Sequence, residues 1–264
     1  MVNSRRREGP QSLAVGRSLN RMTIAHPRMS RVPVDQRGIT LADFLVPIRL
    51  GERVGSRVRH VALIVAGAIF IALCAQITIV QTGQTIPLIA DYRIQLASTP
   101  VPITGQTLAV LLVGGSLGLR RGLLSVGLYL AAGLLLPVYA GGGSGLDTFV
   151  NRSEGGAIVL GATGGYLIGF MLAAAVTGRL AELGWDRHIL GAVAAMLIGN
   201  VVIYLVGVPW LAAAVGSTPE SGAIERAVAL GLTPFIVVDA LKLLLAAAAF
   251  LAAWWAVGRR PAER

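Results

Sequence analysis

The sequence predicts an all-α membrane protein of six transmembrane helices with both termini in the cytoplasm. Three observations carry this: the composition, six long apolar runs, and the placement of arginine between them. Of 264 residues, 55% are hydrophobic and 14% are charged, whereas soluble domains carry about 25% charged residues. The mean hydropathy is +0.71. Apolar runs occupy residues 61–80, 104–119, 122–141, 156–178, 188–208 and 234–257. Most are near the ~20 residues with which a helix crosses ~30 Å of hydrocarbon. With the N-terminus inside, the inner flanks hold Arg53, Arg57, Arg59, Arg120, Arg121, Arg179, Arg187, Arg259, Arg260 and Arg264. The outer loops hold only Arg93, Arg152 and Arg226. Ten against three is a positive-inside bias, and it places the protein in the cell membrane as a multi-pass chain.

Residues 1–60 stand apart. They hold 12 arginines and 4 acidic residues, with Pro10, Pro27, Pro33 and Pro47 scattered among them. No apolar core of 7–15 residues is present, so this is not a secretory signal peptide. It reads as a disordered, Arg-rich cytoplasmic segment, and Met22 or Met29 is an alternative start. A single aromatic residue, Phe44, lies among the arginines, which argues against nucleic-acid binding. Residues 61–258 form the membrane domain and 259–264 a short cytoplasmic tail.

The first run carries alanines at four-residue spacing, Ala62/Ala66 and Ala68/Ala72. Small residues at this spacing let helix backbones approach closely, within the monomer or against another membrane protein. The second run is short and ends at Arg120-Arg121; Gly114, Gly115 and Gly118 make it irregular. The third ends in "LPVYAGGGSG". The fourth repeats the small-residue spacing at Gly161, Gly165, Gly169 and Ala173. The fifth contains "LIGNVVIY", where Asn200 reads as a helix–helix hydrogen-bonding residue. The sixth starts at Pro234, a favoured first helical residue. Trp210, Trp254 and Trp255 near span ends read as interfacial belt residues.

That sixth run holds the only lysine of the chain, Lys242, three residues after Asp239. At 1.5 Å per residue the pair sits roughly 8–12 Å into the helix from Pro234, and the i, i+3 spacing puts both on one side. An ionisable side chain at that depth costs about 2.5–3.5 kcal/mol on insertion scales. Two readings remain open. The pair neutralises itself as a structural ion pair, or each group meets a ligand. Gln106 and Thr104, the glycine-rich loop after span three and the start of span four reach the same outer depth. Four segments converging there predict a pocket open to the outside for a small polar anion. Tyr129, Tyr139 and Tyr166 can wall such a pocket while bonding through their hydroxyls.

Chemistry of other kinds is excluded by what the chain lacks. No G-x-x-x-x-G-K-[ST] or H-E-x-x-H occurs, and Ser144 in "GGGSGL" has no buried histidine as base. One cysteine, Cys74, and three dispersed histidines, His26, His60 and His188, build no metal site. No resident cofactor and no enzyme activity are expected. If ATP drives transport, the ATPase is another polypeptide. The rival reading is an autonomous secondary transporter that couples a small anionic substrate to protons through Asp239.

The phrases "ALCAQITI", "STPVPITGQTLAVLLVGGSLGLRRGLLSVGLYLAAGLLLPVYAGG", "GATGGYLIGFMLAAAVTGRLAE" and "LTPFIVVDALKLLLAA" together resemble the BioY family, over about residues 61–250. These are the biotin-binding S components of energy-coupling factor (ECF) transporters. The resemblance implies an S-component-like six-helix bundle that captures biotin from outside. It also implies partners: a transmembrane coupling protein, the T component, and two cytoplasmic ATPases. The first-span alanine stripe resembles the face that S components present to the coupling protein. Asp239 and Lys242 match the family's D-x-x-K pair, which implies that Asp239 binds the ureido group and Lys242 the valerate carboxylate. Gln106 matches the glutamine after P-V-P-I-T, and Tyr139 and Tyr166 are further substrate-binding candidates. Family members use an asparagine and an arginine from the loop after span three, for which Asn151 and Arg152 are the candidates. The sequence departs from the family where "GPTGGY" reads "GATGGY", with Ala162 in place of proline, and where that loop is longer.

Overall fold

The computed structural model describes residues 40–42, 55–80, 85–87, 93–95, 99–152, 156–216 and 218–258. Most of the Arg-rich segment and the tail 259–264 lie outside the described residues, as does Glu154 of the long loop. The described helices are α1 (Ser56–Gln76), α2 (Gln106–Gly133), α3 (Gly164–Glu182), α4 (Ile189–Val215), α5 (Ala223–Gly231) and α6 (Ile236–Gly258). Short antiparallel pairs lie in the loops: β1 (Thr78–Val80) with β4 (Ile103–Thr104), β2 (Thr85–Pro87) with β3 (Arg93–Gln95), and β5 (Val150–Arg152) with β6 (Ile158–Leu160). The membrane domain is therefore helical with β-hairpin loops, where an all-α chain was expected.

Among the described residues, five helical stretches are long and apolar enough to cross a membrane: α1, α2, α3, α4 and Ala223–Val257. The runs 104–119 and 122–141, expected as two spans, fall within and just beyond one element, α2. That element is not straight. Gly118 breaks it with φ 81° and ψ 177°, a left-handed conformation that glycine adopts without a Cβ penalty. Gln106 Nε2 then lies 2.6 Å from the Tyr129 hydroxyl, whereas 23 residues of straight helix would separate them by roughly 34 Å. A Cβ on Gly122 would lie 2.9 Å from the Gly114 Cα. α2 is thus a hairpin of two arms, 106–117 and 119–133, folded side by side. The break falls at Gly118 rather than at Arg120-Arg121 because the turn needs a positive φ, and Glu182 caps the second arm by accepting from the Leu119 amide at 2.9 Å.

The helices close a ring. α1 packs on α2, α2 on α3, α3 on α4, and α6 bridges α4 and α2. Small residues permit the tight contacts. A Cβ on Gly114 would meet the Ala174 carbonyl oxygen at 2.7 Å, and one on Gly169 the Ile203 carbonyl oxygen at 2.9 Å. The small-residue stripe of the fourth run therefore serves packing inside the monomer. Ala62 and Ala66 of α1, by contrast, are exposed.

The bundle has two distinct ends. At the Gly118 end lie Glu182, the turn Trp185–Arg187 and the C-terminal half of α6. Trp254 is buried there, its Nε1 donating to Asp186 Oδ2 at 2.7 Å, so it is not an interfacial belt residue; Trp255 remains exposed. Thr40, Leu41 and Ala42 are buried as well, and Arg121 Nη2 donates to Thr40 Oγ1 at 3.4 Å. At the opposite end, Gln76 closes α1 by donating to the Tyr139 carbonyl at 3.0 Å. Arg226 of the unforeseen helix α5 donates to the Val215 and Gly216 carbonyls at 2.7 and 2.9 Å, which satisfies the C-terminus of α4.

Candidate substrate site

The end opposite Gly118 holds a cavity of about 360 Å³. Its wall is assembled by the helix starts. Val101, Pro102, Thr104, Gln106 and Thr107 come from the entry to α2. Tyr139, Ser144, Asp147 and Thr148 come from the loop after α2, and Thr163, Tyr166 and Phe170 from the start of α3. Ile203 and Tyr204 of α4 and Phe235 and Lys242 of the sixth span complete it. Ala162 leaves the helix start intact: Thr163 is the N-cap residue and α3 begins at Gly164.

The polar floor is one network. Asp239 and Lys242 are 4% and 5% exposed. Lys242 Nζ donates to Asp239 Oδ1 at 3.0 Å and to Thr107 Oγ1 at 3.0 Å. The Tyr204 hydroxyl donates to Asp239 Oδ2. The ion pair is thus not confined to one helix; it joins α6 to α2 and α4. This answers the cost of burying two charges, since a buried pair is tolerable only when its remaining donors and acceptors are satisfied. Asp239 has both oxygens engaged and does not line the cavity, while Lys242, Thr107 and Tyr204 do.

Of the other expected residues, Gln106, Tyr139 and Tyr166 line the cavity. Gln106 is held by Tyr129. Tyr139 donates to the Leu130 carbonyl at 2.6 Å and Tyr166 to the Gly231 carbonyl at 2.9 Å. The aromatic wall is edge-packed, with Tyr139 against Tyr129 at 5.6 Å and Tyr166 against Tyr204 at 6.2 Å between ring centroids. Asn151 and Arg152 stand elsewhere. Both are exposed on β5 and neither lines the cavity. The longer loop folds into its own β5–β6 hairpin, which carries these two side chains away from the wall. Asn200 is buried, yet its Oδ1 accepts no hydrogen bond, so it does not tie helices together through that oxygen.

Sequence reasoning missed Thr107 and Tyr204. Thr107 adjoins Gln106, and Tyr204 lies one turn beyond Asn200 in "LIGNVVIY". A polar side chain on a neighbouring span at the depth of Asp239 was the available signal.

Comparison with known proteins agrees with this architecture. A model of the BioY family matches residues 86–259. A biotin transporter BioY of Thermotoga maritima is 35% identical over 148 residues, covering 56% of this chain and 78% of the relative. One of Rhodobacter capsulatus is 37% identical over 151 residues, covering 55% and 74%. The fold is similar to the crystal structure of an S-component for biotin from an ECF-type ABC transporter. The TM-score is 0.57 at 24% identity, over 76% of this chain and 94% of that one. The matched region contains every residue of the cavity wall, and the chain belongs to the BioY family of multi-pass membrane proteins.

Proposed function

We propose that this chain is the substrate-binding membrane component of a biotin uptake transporter, which captures biotin from the outer side. The observation that carries the reading is the cavity of about 360 Å³ at the end opposite Gly118, lined by Lys242, Gln106, Tyr139 and Tyr166 from separate segments. Its size and its apolar walls with a few polar groups suit a small vitamin. The names of the relatives supply biotin itself. The arginine distribution supports an outward-facing cavity and cytoplasmic termini, with the two arms of α2 serving as two of six crossings. Delivery inward is assigned to an ATP-driven ECF module, a T component with two ATPases. The exposed face of α1, with Ala62, Ala66, Val65 and Ile69, resembles the surface such a coupling protein covers.

The test is radiolabelled biotin binding to the purified full chain in detergent, without ATP and without partners. Saturable binding at one site is expected, with competition by unlabelled biotin. A chain that binds no biotin while remaining folded is not a biotin component.

A further inference from the structure

We infer that the turn Leu134–Leu136, Leu146 and the strands β5 and β6 form a lipid-seated rim, whose exposed apolar side chains rest in the membrane leaflet on the cavity side. The partner they meet is bilayer lipid. This stands independently of which ligand the cavity takes.

The second arm of α2 is too short to cross alone. Arg120 and Arg121 hold its first end at one membrane surface. From 119 to 133 it rises about 22 Å at 1.5 Å per residue, against a hydrocarbon core ~30 Å thick. On the same scale α4, with 27 residues, and α6, with 23, rise about 40 Å and about 34 Å. Beside the second arm, helix runs out about 8 Å before the hydrocarbon does. Either apolar side chains cover that depth or the bilayer thins to meet them. The residues that follow are apolar and uncovered: Leu135 is 85% exposed, Leu146 68% and Ile158 74%.

These residues continue the lipid-facing side of the arm. Leu124, Leu128, Ala131 and Leu135 recur at helical spacing and all are exposed, so one apolar row runs from mid-arm into the turn. That continuity favours lipid over a second copy of the chain. The backbone suits it too. The amides of Leu134, Leu135 and Leu136 all donate to carbonyls of residues 130–132, so none of them needs water. The Gly145 amide donates to the Gly133 carbonyl at 2.8 Å, which brings Leu146 to the same end.

The hairpin sits shallower. Residues directly opposite share a face, as do residues two apart along a strand. Val150 pairs with Leu160 and Arg152 with Ile158, so that face presents three aliphatic side chains and one cation. A two-stranded ribbon has unpaired edges and is not stable within hydrocarbon. At the boundary of headgroups and acyl chains, the aliphatic side chains dip inward and Arg152 meets lipid phosphate. Trp210 marks this depth: its Nε1 donates to the Gly161 carbonyl, just past β6, at 2.8 Å, and indoles favour the interface. Tyr139, Ser144, Asp147 and Thr148 of the cavity wall lie between Leu136 and Val150 in sequence. The rim of the cavity is therefore held by lipid on both flanks, and a solute reaches it through the headgroup layer.

The experiment attaches one nitroxide label per protein to the full chain carrying Cys74→Ala, at Leu135→Cys, Leu146→Cys or Ile158→Cys. Leu124→Cys is the membrane reference and Glu220→Cys the aqueous one; both positions are exposed. In vesicles of phosphatidylcholine and phosphatidylglycerol, power saturation compares collision with oxygen and with a water-soluble nickel chelate. The oxygen-to-nickel ratio at Leu135 should match that at Leu124. The ratios at Leu146 and Ile158 should fall between the two references. A ratio at Leu146 or Ile158 equal to that at Glu220 overturns the proposal, since the loop then stands in water. A label shielded from both reagents overturns it as well, because protein then covers the face. The unsubstituted chain supplies a check that needs no variant. In vesicles containing a phosphatidylcholine with an acyl-chain diazirine, photolysis should place adducts on the peptides carrying Leu135, Leu146 and Ile158. Adducts confined to the helices would count against the seat.

Discussion

Gln106 and Tyr129, 23 positions apart, meet at 2.6 Å across the hairpin of α2. The bond fixes the side-chain amide at the cavity wall and closes the two arms at the end farthest from their turn. Tyr129→Phe should leave a buried Gln106 N–H without its acceptor, at a cost of about 1–3 kcal/mol. Thermal unfolding in detergent should fall by several degrees, and biotin affinity should fall with it as Gln106 loses its orientation.

Gly118→Ala should be strongly destabilising. Its φ of 81° disfavours any Cβ, and that Cβ would lie 2.8 Å from both Glu182 Oε1 and the Thr40 methyl carbon. Gly127→Ala, in the second arm, meets nothing within 4 Å and should stabilise by about 0.5–1 kcal/mol. The contrast in melting temperature between the two variants checks the hairpin, because a straight helix through Gly118 would gain from both.

Asp186 lies in the turn between α3 and α4, outside the spans. Burial raises its pKa to about 6 from 3.8, against the opposing pull of the Trp254 hydrogen bond and the Arg187 charge. Its folded pKa is raised, so the folded state favours the neutral acid. The stability it contributes is fully present below about 3.8 and is lost as pH rises through about 6. Asp186→Asn keeps an acceptor for Trp254 and never ionises. It should flatten the wild-type fall in melting temperature between about pH 4 and 6, and match or exceed the wild type at pH 7. An unchanged slope would sink the assignment.

Asp239→Ala and Lys242→Ala should each cost more than the pair removed together. Either single change strands a buried charge, worth about 3–5 kcal/mol, whereas the double change strands none. A double-mutant cycle on melting temperature measures the coupling; additive losses would mean the two charges do not depend on each other.

Much of this was legible in the residues themselves. Asp239 and Lys242 announced a buried pair by their spacing in an apolar run, and Gln106 fell at the same depth. Tyr204 was not found, because a tyrosine in a span carries no mark of which neighbour it faces. Asn151 and Arg152, expected near the substrate, stand outside the cavity wall for a related reason. Loop side chains are aimed by local pairing, and the Asn151–Val159 register of the β5–β6 hairpin is a tertiary outcome. The glycines of α2 read as irregularity, yet Gly114 and Gly122 are contact surfaces for each other and for α3.

Gly118 has one more consequence. Gly114 and Gly122 lie four residues to either side of it and touch, so the arms are joined at the fold, pinned at mid-length and clasped again by Gln106 and Tyr129. Neither arm is free to slide or rotate without the other. Thr107, in the floor of the cavity, and Arg121, just past the turn, therefore belong to one stiff lever. The two extremities are coupled across the Gly118 turn by the contact of Gly114 with Gly122 and not by the backbone alone.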